Sequence, residues 1–118
     1  MALPIQIAFF YPERIANNRP ALDFSQIREL TFSEPDRIAF PCLQLAYDAL
    51  EIGGTMACVL NAANEIAVAR FLNQEIHFLD IPRINRQVME KHQVIAHPNL
   101  DDILAVDGWA REISNAYN

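Results

Sequence analysis

Three polar side chains stand inside the most apolar stretch of this sequence, and they are the first candidates for chemistry. Asn61, Asn64 and Glu65 interrupt a run of alanines and larger apolar residues extending from Ala57 to Ala69. Asn61 and Glu65 are four apart and so share one face of a helix. Groups of this kind in such a place can hold a substrate or take a proton, or they can bind the helix to a neighbour. Leaving one buried without a partner costs roughly 1–3 kcal/mol, and a buried structural polar network of Asn61, Asn64 and Glu65 is the preferred reading.

Other combinations are weaker. His77, His92 and His97 could suggest a metal, but none pairs with another histidine at helical spacing, and no Glu-x-x-His or Cys-x-x-Cys occurs. Zinc needs three or four converging ligands, so these read as surface histidines. Asp101, Asp102 and Asp107 could hold a divalent cation. Carboxylates in the first turn of a helix are favoured in any case by its free N–H groups and dipole, and capping is the simpler account. Cys42 and Cys58 lie in apolar helical sequence and read as small core residues in a reducing compartment. No glycine-rich phosphate loop or nucleophile signature is present, and Gly53-Gly54 follows a helical pattern, not a strand. No catalytic, cofactor-binding or metal residue is assigned from the residues alone.

Composition narrows the classes further. The 118 residues are 52% hydrophobic and 20% charged, with a formal net charge of −6. That is the composition of a globular chain and not a disordered one. The negative charge, with no basic stripe, argues against nucleic acid as a partner. The apolar start from Met1 to Tyr11 has no basic residue ahead of it and a proline at position 4, so it does not read as a secretory signal. No run approaches the roughly 20 apolar residues that span a bilayer. The expectation is a cytoplasmic protein with no membrane partner.

The elements that must position these residues divide near position 40. Before it, prolines are frequent and apolar residues come in bursts. Pro4 to Phe10 suits a short helix that Pro12 ends. Leu30-Thr31-Phe32 is β-prone and is expected to form an isolated edge strand, for which the only weak partner in the sequence is Ile76-His77-Phe78. After position 40 the pattern is helical. Pro41 opens a helix to about Ile52, with Leu43, Ala46 and Leu50 on one face and Leu45 and Ala49 beside it. Gly53-Gly54 ends it. Thr55 is expected to cap a second helix to about Asn73, apolar nearly all round and therefore central to a bundle. Asp80 caps a third, with a stripe of Ile81, Ile84 and Val88. Asn99 is expected to cap a short turn through Asp101, Asp102, Ile103 and Leu104, and Asp107 to start or continue a last helix with Val106, Trp109, Ile113 and Tyr117 on one face. The fold class is mostly α: a small four-helix-bundle-like domain over 41–118, preceded by a short helix and the isolated strand.

Taken in order, several stretches resemble the C-terminal part of the 1-deoxy-D-xylulose 5-phosphate reductoisomerase family. They are Pro4-Ile5-Gln6, Tyr11-Pro12-Glu13-Arg14, Leu22-Asp23-Phe24, Leu30-Thr31-Phe32 with Pro35-Asp36, and Phe40-Pro41-Cys42-Leu43. Leu60-Asn61-Ala62-Ala63-Asn64-Glu65, Phe78-Leu79-Asp80-Ile81-Pro82, and Asp107 with Ala110-Arg111-Glu112 continue the series. The resemblance implies an enzyme of non-mevalonate isoprenoid biosynthesis. Such an enzyme rearranges a keto-sugar phosphate and reduces the product to 2-C-methyl-D-erythritol 4-phosphate, using NADPH and magnesium or manganese. It further implies that residues 1–40 are the tail of the catalytic domain with its connecting segment, and that 41–118 are a C-terminal helical bundle.

The family's dinucleotide-binding domain, its Asp-x-Glu metal ligands and its Ser-x-x-x-Asn-Lys-x-x-Glu stretch have no counterpart in this sequence. Met1 falls where the family has a methionine near the active site, and Glu65 matches a structural helix and not the metal-binding glutamate. The expectation is therefore a chain inactive alone, with no cofactor of its own, whose partner is the remainder of the enzyme. Apolar Ile5, Ile7, Phe9 and Phe10 are expected to drive self-association when that remainder is absent. The alternative is a standalone, non-enzymatic helical interaction or dimerisation module.

Overall fold

The computed structural model describes residues 2–20, 23–27 and 29–117. Met1, and Leu22 of the Leu22-Asp23-Phe24 stretch, lie outside the described residues. Five helices occur in order: α1 (Ala2–Phe10), α2 (Pro41–Ile52), α3 (Met56–Leu72), α4 (Asp80–Lys91) and α5 (Leu100–Ala116). The chain forms two compact units, Met1–Ser33 and Glu34–Asn118.

In the first unit, α1 carries no charged residue and none of its residues is buried. The loop after α1 is held by side-chain amides and a carboxylate. Gln6 donates to the Ile15 carbonyl at 2.8 Å and accepts from Asn17 at 3.1 Å. Asp23 accepts from the backbone N–H and the hydroxyl of Ser25, a turn made by the side chain itself.

The expected edge strand does not form. Leu30, Thr31 and Phe32 have no regular structure, and neither do Ile76 and His77. A strand is defined by its neighbour, and a β-prone triplet without a ladder partner stays irregular. Phe32 is 91% exposed.

The second unit is the bundle. Residues 34–40 fold onto its start: Asp36 accepts from the N–H groups of Ile38 and Ala39, while Arg37 donates to Gln44 at 2.9 Å and lies over the Tyr47 ring. Pro41 occupies the first turn of α2, where its missing N–H costs nothing. Gly53, at φ 73°, ends that helix by donating to the Ala49 carbonyl. α3 packs against α2, α4 and α5. Its Val59, Ala62, Ala63 and Ala67 are fully buried, and the small side chains let neighbouring backbones come close. The Ile81, Ile84, Val88 stripe of α4 is buried as its spacing predicts.

Three details depart from the sequence reading. On α2 the bundle takes Leu45 and Ala49, whereas Leu43 and Ala46 are exposed and Leu50 is 78% exposed. The apolar arc of α2 is wider than the face its neighbours cover, so periodicity alone did not set its phase. Thr55 makes no capping hydrogen bond to α3; its hydroxyl turns to the segment after α4. Asp80 lies one residue inside α4 and accepts backwards from the His77 N–H at 2.9 Å.

α5 runs unbroken from a capping box in which Asn99 and Asp102 accept each other's N–H groups at 2.9 and 3.0 Å. Its buried line is Val106, Ala110 and Ser114, with Trp109, Ile113 and Tyr117 half-buried beside it.

Candidate functional site

The structure separates the three polar residues of α3. Asn64 points toward α4, where its Oδ1 accepts from Asn85 Nδ2 at 3.0 Å. Asn61 and Glu65 lie on an exposed flank, with Asn61 Nδ2 3.2 Å from Glu65 Oε1. Glu65 Oε2 in turn accepts from Arg111 Nη2 at 2.7 Å, and Arg111 Nε reaches Asp107 at 2.7 Å. One residue of the trio therefore joins α3 to α4 internally, and two join α3 to α5 across the surface.

The residue that sequence reasoning missed is Asn85. It is 0% exposed, and its amide also lies 3.8 Å from the Cys42 sulfur, which draws in α2. Asn85 Oδ1 is buried with no hydrogen-bond partner. The available signal was position: Asn85 is four residues after Ile81 and next to Ile84, on the buried side of α4.

Two concavities meet at this junction. One, of about 520 Å³, is walled by Ala46 and Leu50 of α2 and Ala57 and Leu60 of α3, with Asn61, Asn64 and Asn85 among its lining residues. The other, of about 220 Å³, is almost entirely apolar, lined by Phe40, Pro41, Phe78 and Leu79. Cys42 and Asn64 border both.

Electrostatics give these groups little reactivity. Burial pushes the Cys42 thiol up, against a smaller opposing effect of Asn85. Burial and then the Asp107 charge push the Cys58 thiol up. Both sulfurs are protonated near neutrality, which makes them poor nucleophiles. The Arg111 hydrogen bond, followed by that of Asn61, holds the Glu65 carboxyl below its ordinary value. Asp107 and Glu65 hold the Arg111 guanidinium in its charged form. A carboxylate kept ionised by a guanidinium is a joint between helices and a weak general base.

The remaining candidates are dispersed. His77 and His97 are exposed, whereas His92 is half-buried against Trp109. Asp102 is occupied in the capping box and Asp107 with Arg111, so the acidic residues of α5 do not converge. Among the described residues, no three His, Cys, Asp or Glu side chains are placed to hold a metal ion. Gly53 ends α2, and Gly54 lies against the Ile95 backbone.

Fold and site together define a small helical domain in which Arg111 ties Glu65 of α3 to α5. The family model for the DXP reductoisomerase C-terminal domain matches residues 1–113, and the chain belongs to that family. It is 57% identical over 113 residues to 1-deoxy-D-xylulose 5-phosphate reductoisomerase of Acetivibrio thermocellus, covering 96% of this chain and 30% of that relative. The enzyme of the same name from a Synechococcus strain is 53% identical over 111 residues, covering 94% of this chain and 28% of the relative. Among solved structures, 1-deoxy-D-xylulose 5-phosphate reductoisomerase from Zymomonas mobilis in complex with NADPH superposes with a TM-score of 0.86 at 38% identity. That match covers 97% of this chain and 30% of the Zymomonas chain. The chain therefore spans less than a third of the length of the relatives it matches. Among the described residues, no helix is long and apolar enough to cross a membrane.

Proposed function

We propose that this chain serves as the C-terminal helical domain of an NADPH- and divalent-metal-dependent reductoisomerase acting on 1-deoxy-D-xylulose 5-phosphate, and that it catalyses nothing alone. The observation that carries this reading is one of extent: relatives match nearly all of this chain, and it covers only 28–30% of theirs. The site agrees with it. Each carboxylate of the α3–α5 joint already has a guanidinium partner, and the groups bordering the grooves are amides, a thiol and apolar side chains.

In this reading the bundle is a structural partner of the catalytic remainder. NADPH and the cation would be held by that remainder, and no step of the reaction runs through a residue of this chain. The apolar, wholly unburied α1 belongs against the same remainder, and without it the isolated chain self-associates through α1.

Two assays test the proposal. The 118-residue chain, given substrate, NADPH and magnesium or manganese, is expected to leave the NADPH absorbance unchanged. A full-length relative whose matching segment is replaced by this chain is expected to consume NADPH. Turnover by the short chain, or a well-folded but inactive chimera, would overturn the assignment.

A further inference from the structure

The turn between α2 and α3 and the segment after α4 are joined by a hydrogen-bond set that the structural and enzymatic readings do not use. Thr55 N–H donates to the Ile95 carbonyl at 3.2 Å, and Ile95 N–H donates to Thr55 Oγ1 at 3.1 Å. Thr55 is 1% exposed. Its Oγ1 also lies 2.6 Å from His92 Nε2. Gly54, at φ +53°, lets the two segments touch, since a Cβ there would lie 2.4 Å from the Ile95 carbonyl oxygen.

Proton accounting favours one assignment of roles in this set. Thr55 Oγ1 already accepts from Ile95, so its own proton needs an acceptor, and the acceptor within reach is His92 Nε2. An imidazole can accept there only when neutral, with its proton on Nδ1. Once charged, the ring has N–H donors at both nitrogens. The Thr55 hydroxyl would then lose the acceptor for its own proton, which is left buried in the joint.

We propose that His92 is a proton-operated latch: neutral, it holds the segment linking α4 to α5 on the α2–α3 turn, and protonated, it releases that segment. The surroundings leave the switch to this one ring. Trp109 of α5 lies against it, with ring centroids 5.4 Å apart, and carries no charge. Asp102 of α5 borders the same concavity but is engaged by the Asn99 N–H at 3.0 Å. Lys91 of α4 sits over the Tyr117 ring at 4.7 Å.

Burial holds the His92 pKa below its ordinary value of 6.5. The folded chain therefore binds fewer protons than the unfolded one around that value. The latch's contribution is complete above the unfolded pKa and is lost as pH falls toward the folded one. Release loosens residues 92–98, which lead directly into the Asn99 cap of α5.

The test is nuclear magnetic resonance on the full 118-residue chain, following the imidazole nitrogens and the Ile95 amide. At about pH 8 the imidazole proton is expected on Nδ1, and the Ile95 protection factor is expected to fall at least about tenfold by about pH 5. His92→Gln, which retains an acceptor and does not titrate, should abolish that pH dependence while Ile95 stays protected. Thr55→Val should lower Ile95 protection at both pH values. A proton on Nε2 at about pH 8 would overturn the latch. So would Ile95 protection that is unchanged as His92 titrates, or that keeps its pH dependence in His92→Gln. If Thr55→Val does not fold, the His92→Gln comparison decides alone.

Discussion

The unit Met1–Ser33 and the unit Glu34–Asn118 have comparable shares of apolar residues and use them in opposite ways. In the first, Ile5, Phe9, Phe24, Leu30 and Phe32 are all exposed, and order comes from Gln6, Asn17 and Asp23 gripping nearby backbone and side chains. In the second, Val59, Ile84 and Val88 are sealed among four helices, and polar groups work mainly at the joints. Hydrophobic content alone therefore does not make a core. A core also needs a periodic element on the other side to receive it, and the bundle supplies its own while the front unit does not.

The largest test of that contrast is to remove a large apolar side chain from each unit. Ile84→Ala is expected to destabilise the bundle by about 2–5 kcal/mol, because a fully buried side chain leaves a cavity. Phe9→Ser is expected to leave the thermal midpoint unchanged and to reduce association in sedimentation velocity. If the two variants lost equal stability in urea titrations, the distinction between the units would fail.

Next in size is the internal joint. Asn64→Ala deprives the buried Asn85 amide of its best partner and is expected to cost about 1–3 kcal/mol in chemical denaturation. An unchanged midpoint would mean that the amide pair contributes nothing. Removing the capping box with Asn99→Ala should cost about 1 kcal/mol and fray the first turn of α5, visible as faster amide exchange at Asp102.

The smallest effect belongs to Glu65. Its folded pKa is lowered, so its contribution is present above the unfolded carboxylate value of 4.5 and is lost as pH falls through the folded one. The melting curves of the chain and of Glu65→Gln should differ slightly at neutral pH, converge in acid, and approach each other in high salt.

Much of the bundle could be read from the sequence because its punctuation is chemical. Pro41 and Gly53-Gly54 bracket α2, Pro82 sits in the first turn of α4, and Asn99 caps the turn that the structure continues into α5 without a break at Asp107. Harder to read was whatever depends on a neighbour. Leu30-Thr31-Phe32 has strand propensity without a strand to pair with, and Leu43 and Leu45 are equally apolar until α3 and α4 select one. Thr55 has the composition of a cap, yet its hydroxyl is claimed by Ile95 and His92 from 37 to 40 residues away. The α3 trio stood out as polar residues in an apolar run. Which of them turned inward depended on Asn85 and Arg111, whose positions relative to α3 are set only when the helices assemble.

Ala62, Ala63 and Ala67, each at 0% exposure, act as spacers of fixed thickness between α3 and the helices around it. A valine or leucine at any of them would have to push a neighbouring helix outward, since a close-packed interior has no slack to absorb the added methyls. The spacing of α3 and α4 also sets how far apart Asn64 and Asn85 stand. The aperture of the groove bordered by Cys42 is thus gauged from behind, by residues that never line it.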